Sequence, residues 1–159
     1  MEARLDGRNA VITGGSAGIG KAIAKSFLTS GANVSIVARR SEVLTAAKAE
    51  IEAEGAVTGT SGKVIALSAD IRNSEECEKV IAKTQAAFGH VDVLVNNAGT
   101  SQRGAFLEVS DEIWQDDLDL KLFSAVRLCR LVIPGMRSRK WGRIINVLNL
   151  GAKVPNGGG

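Results

Sequence analysis

Residues 9–22, NAVITGGSAGIGKA, restrict the possible folds of this chain more than any other stretch. A short apolar run, Ala10-Val11-Ile12, breaks into Thr13-Gly14-Gly15-Ser16-Ala17. It resumes as Gly18-Ile19-Gly20 and passes into an amphipathic series, Ile23, Ala24, Phe27 and Leu28. A strand, a Gly-rich turn and a helix start thus follow within fourteen residues. Such a turn aims backbone N–H groups and the positive end of a helix dipole at an anion, most often a phosphate. The question for the rest of the chain is whether that anion is the pyrophosphate of a dinucleotide.

The same rhythm continues downstream. Asn33–Ala38, Lys63–Ala69, Val91–Val95 and Arg143–Leu148 read as strands two to five. Helices are expected between them: Gly18 to Ser30, ended by Gly31; one capped by Ser41 and fraying through Gly55–Gly62; one capped by Asn73 or Ser74 and ending near Phe88-Gly89; and a long one from Ser110 to about Met136. On the long helix Trp114, Leu118, Leu122, Ala125, Leu128 and Val132 make one apolar face, and Pro134 falls near its end. Strands that are near-continuous apolar runs belong to a parallel sheet covered on both faces. The expected fold class is α/β, a doubly wound parallel sheet of Rossmann-type topology with strand order 3-2-1-4-5. The Gly14–Gly20 and Asn96–Gly99 turns then meet at its switch point.

Composition narrows the function classes. The 159 residues carry a net charge of +3, and Lys and Arg are scattered rather than clustered. With aromatics at 4% and no Tyr, the chain lacks the stacking platform of a single-strand binder, so nucleic acid is not expected as a partner. The lone His90 and the isolated Cys77 and Cys129 form no metal-ligand spacing and no disulfide framework. With no apolar stretch of signal-peptide or membrane-spanning length, a cytoplasmic single domain is expected.

Two phosphate motifs compete for the opening stretch. Gly15 to Lys21 fits G-x-x-x-x-G-K, but that motif needs a Ser or Thr next for magnesium, and position 22 is Ala. Thr13-Gly14-x-x-x-Gly18-x-Gly20 instead fits a dinucleotide turn. Nineteen residues beyond Gly20, where an acid would accept from the 2′-hydroxyl of NAD, stands Arg39, followed by Arg40. A guanidinium there suits a 2′-phosphate, which favours NADP(H) over NAD(H).

With Ala69-Asp70-Ile71 after strand three, Asn96-Asn97-Ala98-Gly99 after strand four, Trp114, and Gly142–Val147 at strand five, the chain resembles the short-chain dehydrogenase/reductases, in particular members like 3-oxoacyl-carrier-protein reductase. The resemblance runs through essentially all 159 residues. It implies a single NAD(P)-binding domain over 1–159, as the N-terminal part of a longer polypeptide whose sheet this chain leaves incomplete at its C-terminal edge. It further implies that Gly14, Ser16, Gly18, Ile19 and Gly20 hold the pyrophosphate side and Arg39 and Arg40 the 2′-phosphate. Asp70 and Ile71 would border the adenine, Asn97, Ala98 and Gly99 would line the adenosine and ribose wall, and Asn96 would tie neighbouring strands. Hydride would move between the nicotinamide and a small-molecule carbonyl or alcohol, and the long helix would pair with its counterpart in a homodimer or homotetramer.

The family's chemistry resembles a Ser–Tyr–Lys set supported by an Asn, and here the residues depart from it. The Asn position, seven residues after Trp114, is Lys121, and the Ser position after strand five is Asn149. The Tyr-x-x-x-Lys segment is expected roughly a dozen residues beyond strand five, past the end of the sequence. Two readings stay open on these residues: an NADP(H)-dependent oxidoreductase, and a dinucleotide-binding module that senses or scaffolds without turnover.

Overall fold

The structure, a computed structural model, describes residues 4–59, 62–100 and 107–148. Five parallel strands form one sheet in the order β3-β2-β1-β4-β5. They are β1 (Asn9–Thr13), β2 (Asn33–Ala38), β3 (Val64–Ser68), β4 (Val93–Asn96) and β5 (Arg143–Asn146). Helices α1 (Gly18–Thr29), α2 (Ser41–Thr58) and α3 (Ser74–Phe88) follow the first three strands. After β4 come α4 (Asp111–Leu118), a π turn (Asp119–Phe123) and α5 (Ser124–Ser138), which run on as one long helix. Among the described residues no helix is long and apolar enough to cross a membrane.

Strand alternation divides the core between the two faces of the sheet. Ala10, Ile12, Val34, Ile36, Val93 and Val95 point to the layer of α1 and α2, where Ala24, Leu28, Leu44 and Ile51 meet them. Val11, Val37 and Leu94 point the other way, to Cys77, Val80 and Ile81 of α3 and Leu128, Val132 and Met136 of α5. Both faces of β1 are buried, so every one of its positions excludes water.

Helix ends differ from expectation at two places. Ser41 is the first residue of α2 rather than its cap. Arg40 holds the cap position without a side-chain bond, because the chain turns helical one residue earlier. The same helix does not fray at Gly55. Leu44, Ala47, Ile51 and Gly55 form one buried stripe, and packing carries the helix on to Thr58, where Gly59 at φ 68° ends it. Ser110 holds the cap position of α4 without a side-chain cap bond, while two other ends follow the sequence. The Asn73 side chain accepts from the N–H groups of Glu75 and Glu76. Gly31, at φ 96°, closes α1 by donating to Leu28 O while Ala32 donates to Phe27 O.

The long helix departs most. Its expected single apolar face is divided by the π turn. Leu128 and Val132 are buried, as are Leu120, Ser124 and Met136 in the same four-residue series. Trp114, Leu118 and Leu122 are 44%, 41% and 50% exposed, and no residue of α4 is buried. A π turn adds a residue to one helical turn and so rotates the face ahead of it out of phase with the face behind. Pro134 sits inside α5, which continues past it to Ser138.

Candidate functional site

The switch point is built from a hydroxyl. Thr13, the last residue of β1, donates its Oγ1–H to Val95 O at 3.2 Å and accepts from the N–H groups of Asn97 and Ala98, both at 3.0 Å. Asn97 returns the connection through Nδ2, which donates to Thr13 O at 3.0 Å and to Gly14 O at 3.4 Å. The ends of β1 and β4 are thus fastened together, and the glycine turn is hung from the Asn97 amide. Asn96 does the same on the other side, its Nδ2 donating to Asn146 Oδ1 of β5 at 2.9 Å.

The glycines divide their work. Gly14 and Gly18 have φ of 68° and 52°, a region that side chains with a Cβ seldom enter. A Cβ on Gly18 would meet nothing within 4 Å, so it would project into open space. A Cβ on Gly20 would lie 2.3 Å from Gly14 O and 2.5 Å from Asn97 Nδ2. Gly20 therefore lets α1 pack against the turn. The α1 start has no side-chain cap and no acidic residue in its first turn, which leaves the first N–H groups and the dipole for an anion.

These parts face an open cleft of about 780 Å³. Of the sequence-predicted residues, Gly14, Ser16, Gly18, Ile19, Arg39, Arg40, Asp70, Ile71, Asn97, Ala98 and Gly99 line it. Gly20 lies behind it, buried under the turn. Lys121 is in the π turn near Gly99, but its Nζ is held 2.7 Å from an Asp117 carboxylate oxygen and it is not part of the lining. Asn149 lies outside the described residues. Lys21, the lysine of the rejected P-loop reading, turns away to α2 and donates to Glu50 at 2.8 Å.

Of the cleft's charged side chains, Asp70 is paired from behind. Arg39 and Arg40 are exposed at the cleft rim, and Arg39 O accepts from Ser68 Oγ at 2.9 Å. Across from them Arg72 grips Asp70, and this bond first, with Arg39 further off, holds the Asp70 carboxyl below the usual carboxylate range. Cys77 stands just beneath, its thiol donating to Ile71 O at 3.2 Å; burial pushes the thiol up and keeps it protonated. Sequence reasoning missed Leu120, which lines the cleft from the π turn, and Arg72. The first had a signal: Leu118, Leu120 and Leu122 alternate, and one regular helix cannot bury all three. The model of the family described as short chain dehydrogenase matches residues 8–159.

The chain belongs to that family. It is 36% identical over 158 residues to a short chain dehydrogenase of Pseudocercospora fijiensis, a match spanning 98% of this chain and 49% of the relative. To the 3-oxoacyl-[acyl-carrier-protein] reductase of Vibrio cholerae it is 36% identical over 156 residues, 97% of this chain and 59% of the relative. Among solved structures, the L-sorbose reductase of Gluconobacter frateurii, complexed with NADPH and L-sorbose, superposes with a TM-score of 0.90 at 37% identity. That match covers 99% of this chain and 58% of the other. The chain thus spans about half the length of the curated family members it matches.

Proposed function

We propose that the cleft binds NADP(H) and that the protein serves hydride transfer between the nicotinamide and a carbonyl or alcohol carbon. The observation that carries this reading is the convergence on one cleft of the uncapped α1 start, the two positive-φ glycines and the Arg39-Arg40 pair. The fit is chemical. The glycine turn leaves room where a Cβ on Gly18 would stand, the α1 N–H groups suit a pyrophosphate, and two guanidiniums suit a 2′-phosphate. Asp70 and Ile71 would border the adenine, with Asn97, Ala98 and Gly99 along the adenosine and ribose. Bound there, the cofactor supplies the hydride chemistry, and the chain's part is to bind and orient it. The NADPH complex of the L-sorbose reductase supports the same choice of cofactor. In the test, Arg39→Ala should weaken NADPH about ten- to a hundredfold, the range of a charge-assisted hydrogen bond, and leave NADH nearly unchanged. Equal losses for both would remove the 2′-phosphate role.

A second reading, a dinucleotide-binding module without turnover, is favoured by the state of Lys121. Its ammonium, at the position of the family's Asn, is occupied by Asp117. NADPH binding without oxidation against any of a panel of ketones would favour the module.

Association of two copies through the long helix fits its surface. Ile113, Trp114, Leu118 and Leu122 are exposed on its first half. Asp111, Glu112 and Asp116 stand exposed toward its start, and Arg130 and Arg137 toward its end. An antiparallel second copy would bring unlike charges together over the apolar residues.

A further inference from the structure

The loop after β3 is held from behind by one side chain. Arg72 Nε donates to both oxygens of Asp70, at 3.0 and 3.1 Å, and Nη2 donates to Oδ2 at 2.6 Å. The Arg72 backbone N–H adds a bond to Oδ1 at 3.1 Å. The remaining arm, Nη1, reaches α4 and donates to Asp116 Oδ2 at 2.9 Å. The carbonyl of Arg72 accepts in turn from Arg127 Nη1, and Arg127 Nη2 donates to Asp119 Oδ1, at the first residue of the π turn, at 3.0 Å. Neither arginine lines the cleft, yet together they connect its Asp70 wall to the turn that carries Leu120 into it.

We propose that Arg72 is a positioning residue for the dinucleotide site, fixing the Asp70 carboxylate in the cleft wall and, with Arg127, keeping that wall in register with Leu120. The proposal rests on the reading of this cleft as the dinucleotide site. Two physical arguments support it. The planar fork of Arg72 and its backbone N–H together meet both oxygens of the carboxylate and so fix its plane in the cleft wall. A bare carboxylate beside a polyanionic ligand would also repel it, and the Arg72 guanidinium cancels that charge where the ligand would lie. A lysine could supply the charge but not the fork, so Arg72→Lys separates orientation from electrostatics.

The test is a double-mutant cycle read by calorimetric titration with adenosine 2′,5′-bisphosphate, which carries the adenine and the 2′-phosphate without the nicotinamide. Arg72→Gln should weaken binding about tenfold, the scale of one charged hydrogen bond. Asp70→Asn should weaken it similarly, and the double variant should bind no worse than Asp70→Asn alone, because Arg72 acts through Asp70. Arg72→Lys should recover part of the loss. A strut that merely stabilises the loop gives a different pattern: Arg72→Gln would then lose as much in the Asp70→Asn background as in the wild type, and that result overturns the proposal. So does unchanged affinity in a folded Arg72→Gln protein. Should melting show Arg72→Gln to be unfolded, Arg72→Lys carries the same cycle, with a few-fold loss expected to vanish beside Asp70→Asn. Wild-type protein that binds neither this probe nor NADP+ overturns the site itself, and is told apart because it needs no variant.

Discussion

At the scale of single residues, the site depends on what three glycines and one hydroxyl do differently. Gly18 keeps space open, Gly20 keeps α1 close, and Gly14 turns the chain under the Asn97 amide. Gly18→Val should therefore abolish NADPH binding in a protein whose circular dichroism is unchanged. The added side chain enters the cleft, and its left-handed backbone costs only about 1–2 kcal/mol. Wild-type affinity in that variant would place the phosphates elsewhere. Asp70 gives a prediction in pH. Its carboxyl is held below the ordinary value by Arg72, so its contribution to stability is fully present above about pH 4 and is lost as pH falls through the depressed value. The melting temperature of Asp70→Asn should accordingly fall less than that of the wild type on acidification below pH 4, as differential scanning fluorimetry can check.

At the scale of elements, the long helix is the informative one. Its buried series is Leu120, Ser124, Leu128, Val132 and Met136, while Leu122 is half exposed. Leu128→Ala should cost about 2–5 kcal/mol in urea unfolding, and Leu122→Ala should stay within about 0.5 kcal/mol. Comparable losses would mean one unbroken apolar face. The contrast explains what was legible in the sequence. The strands and the Gly31 and Asn73 helix ends follow from local rules, namely apolar runs, turn residues and caps; the strand order follows from doubly wound topology, and most members of the cleft from the family resemblance. The π turn does not, because its cause is a competition between two apolar series that only packing resolves. Arg72 was hidden for a similar reason. Its two carboxylate partners lie two and forty-four residues away, a pairing no helical or strand period announces. Gly55 misled because a glycine in sequence suggests a break, whereas here it is buried in the α2 stripe.

At the scale of the whole molecule, the sheet divides the labour. Its carboxyl ends gather the glycine turn, Asp70 and the Asn97 turn around one cleft, while its two faces supply the stability that holds them. The long helix presents Trp114, Leu118 and Leu122 to solvent. If a second copy covers them, Leu118→Glu with Leu122→Glu should shift the sedimenting species to half its mass; an unchanged mass would exclude this face from any assembly. What this fold does turns on the identity of the ligand in the cleft. Fluorescence titration of the protein with NADPH and with NADH decides it directly. Saturable binding with NADPH at least about tenfold tighter is the expected result, the difference that one guanidinium–phosphate contact makes. Equal or tighter binding of NADH, or no saturable binding of either, would contradict it.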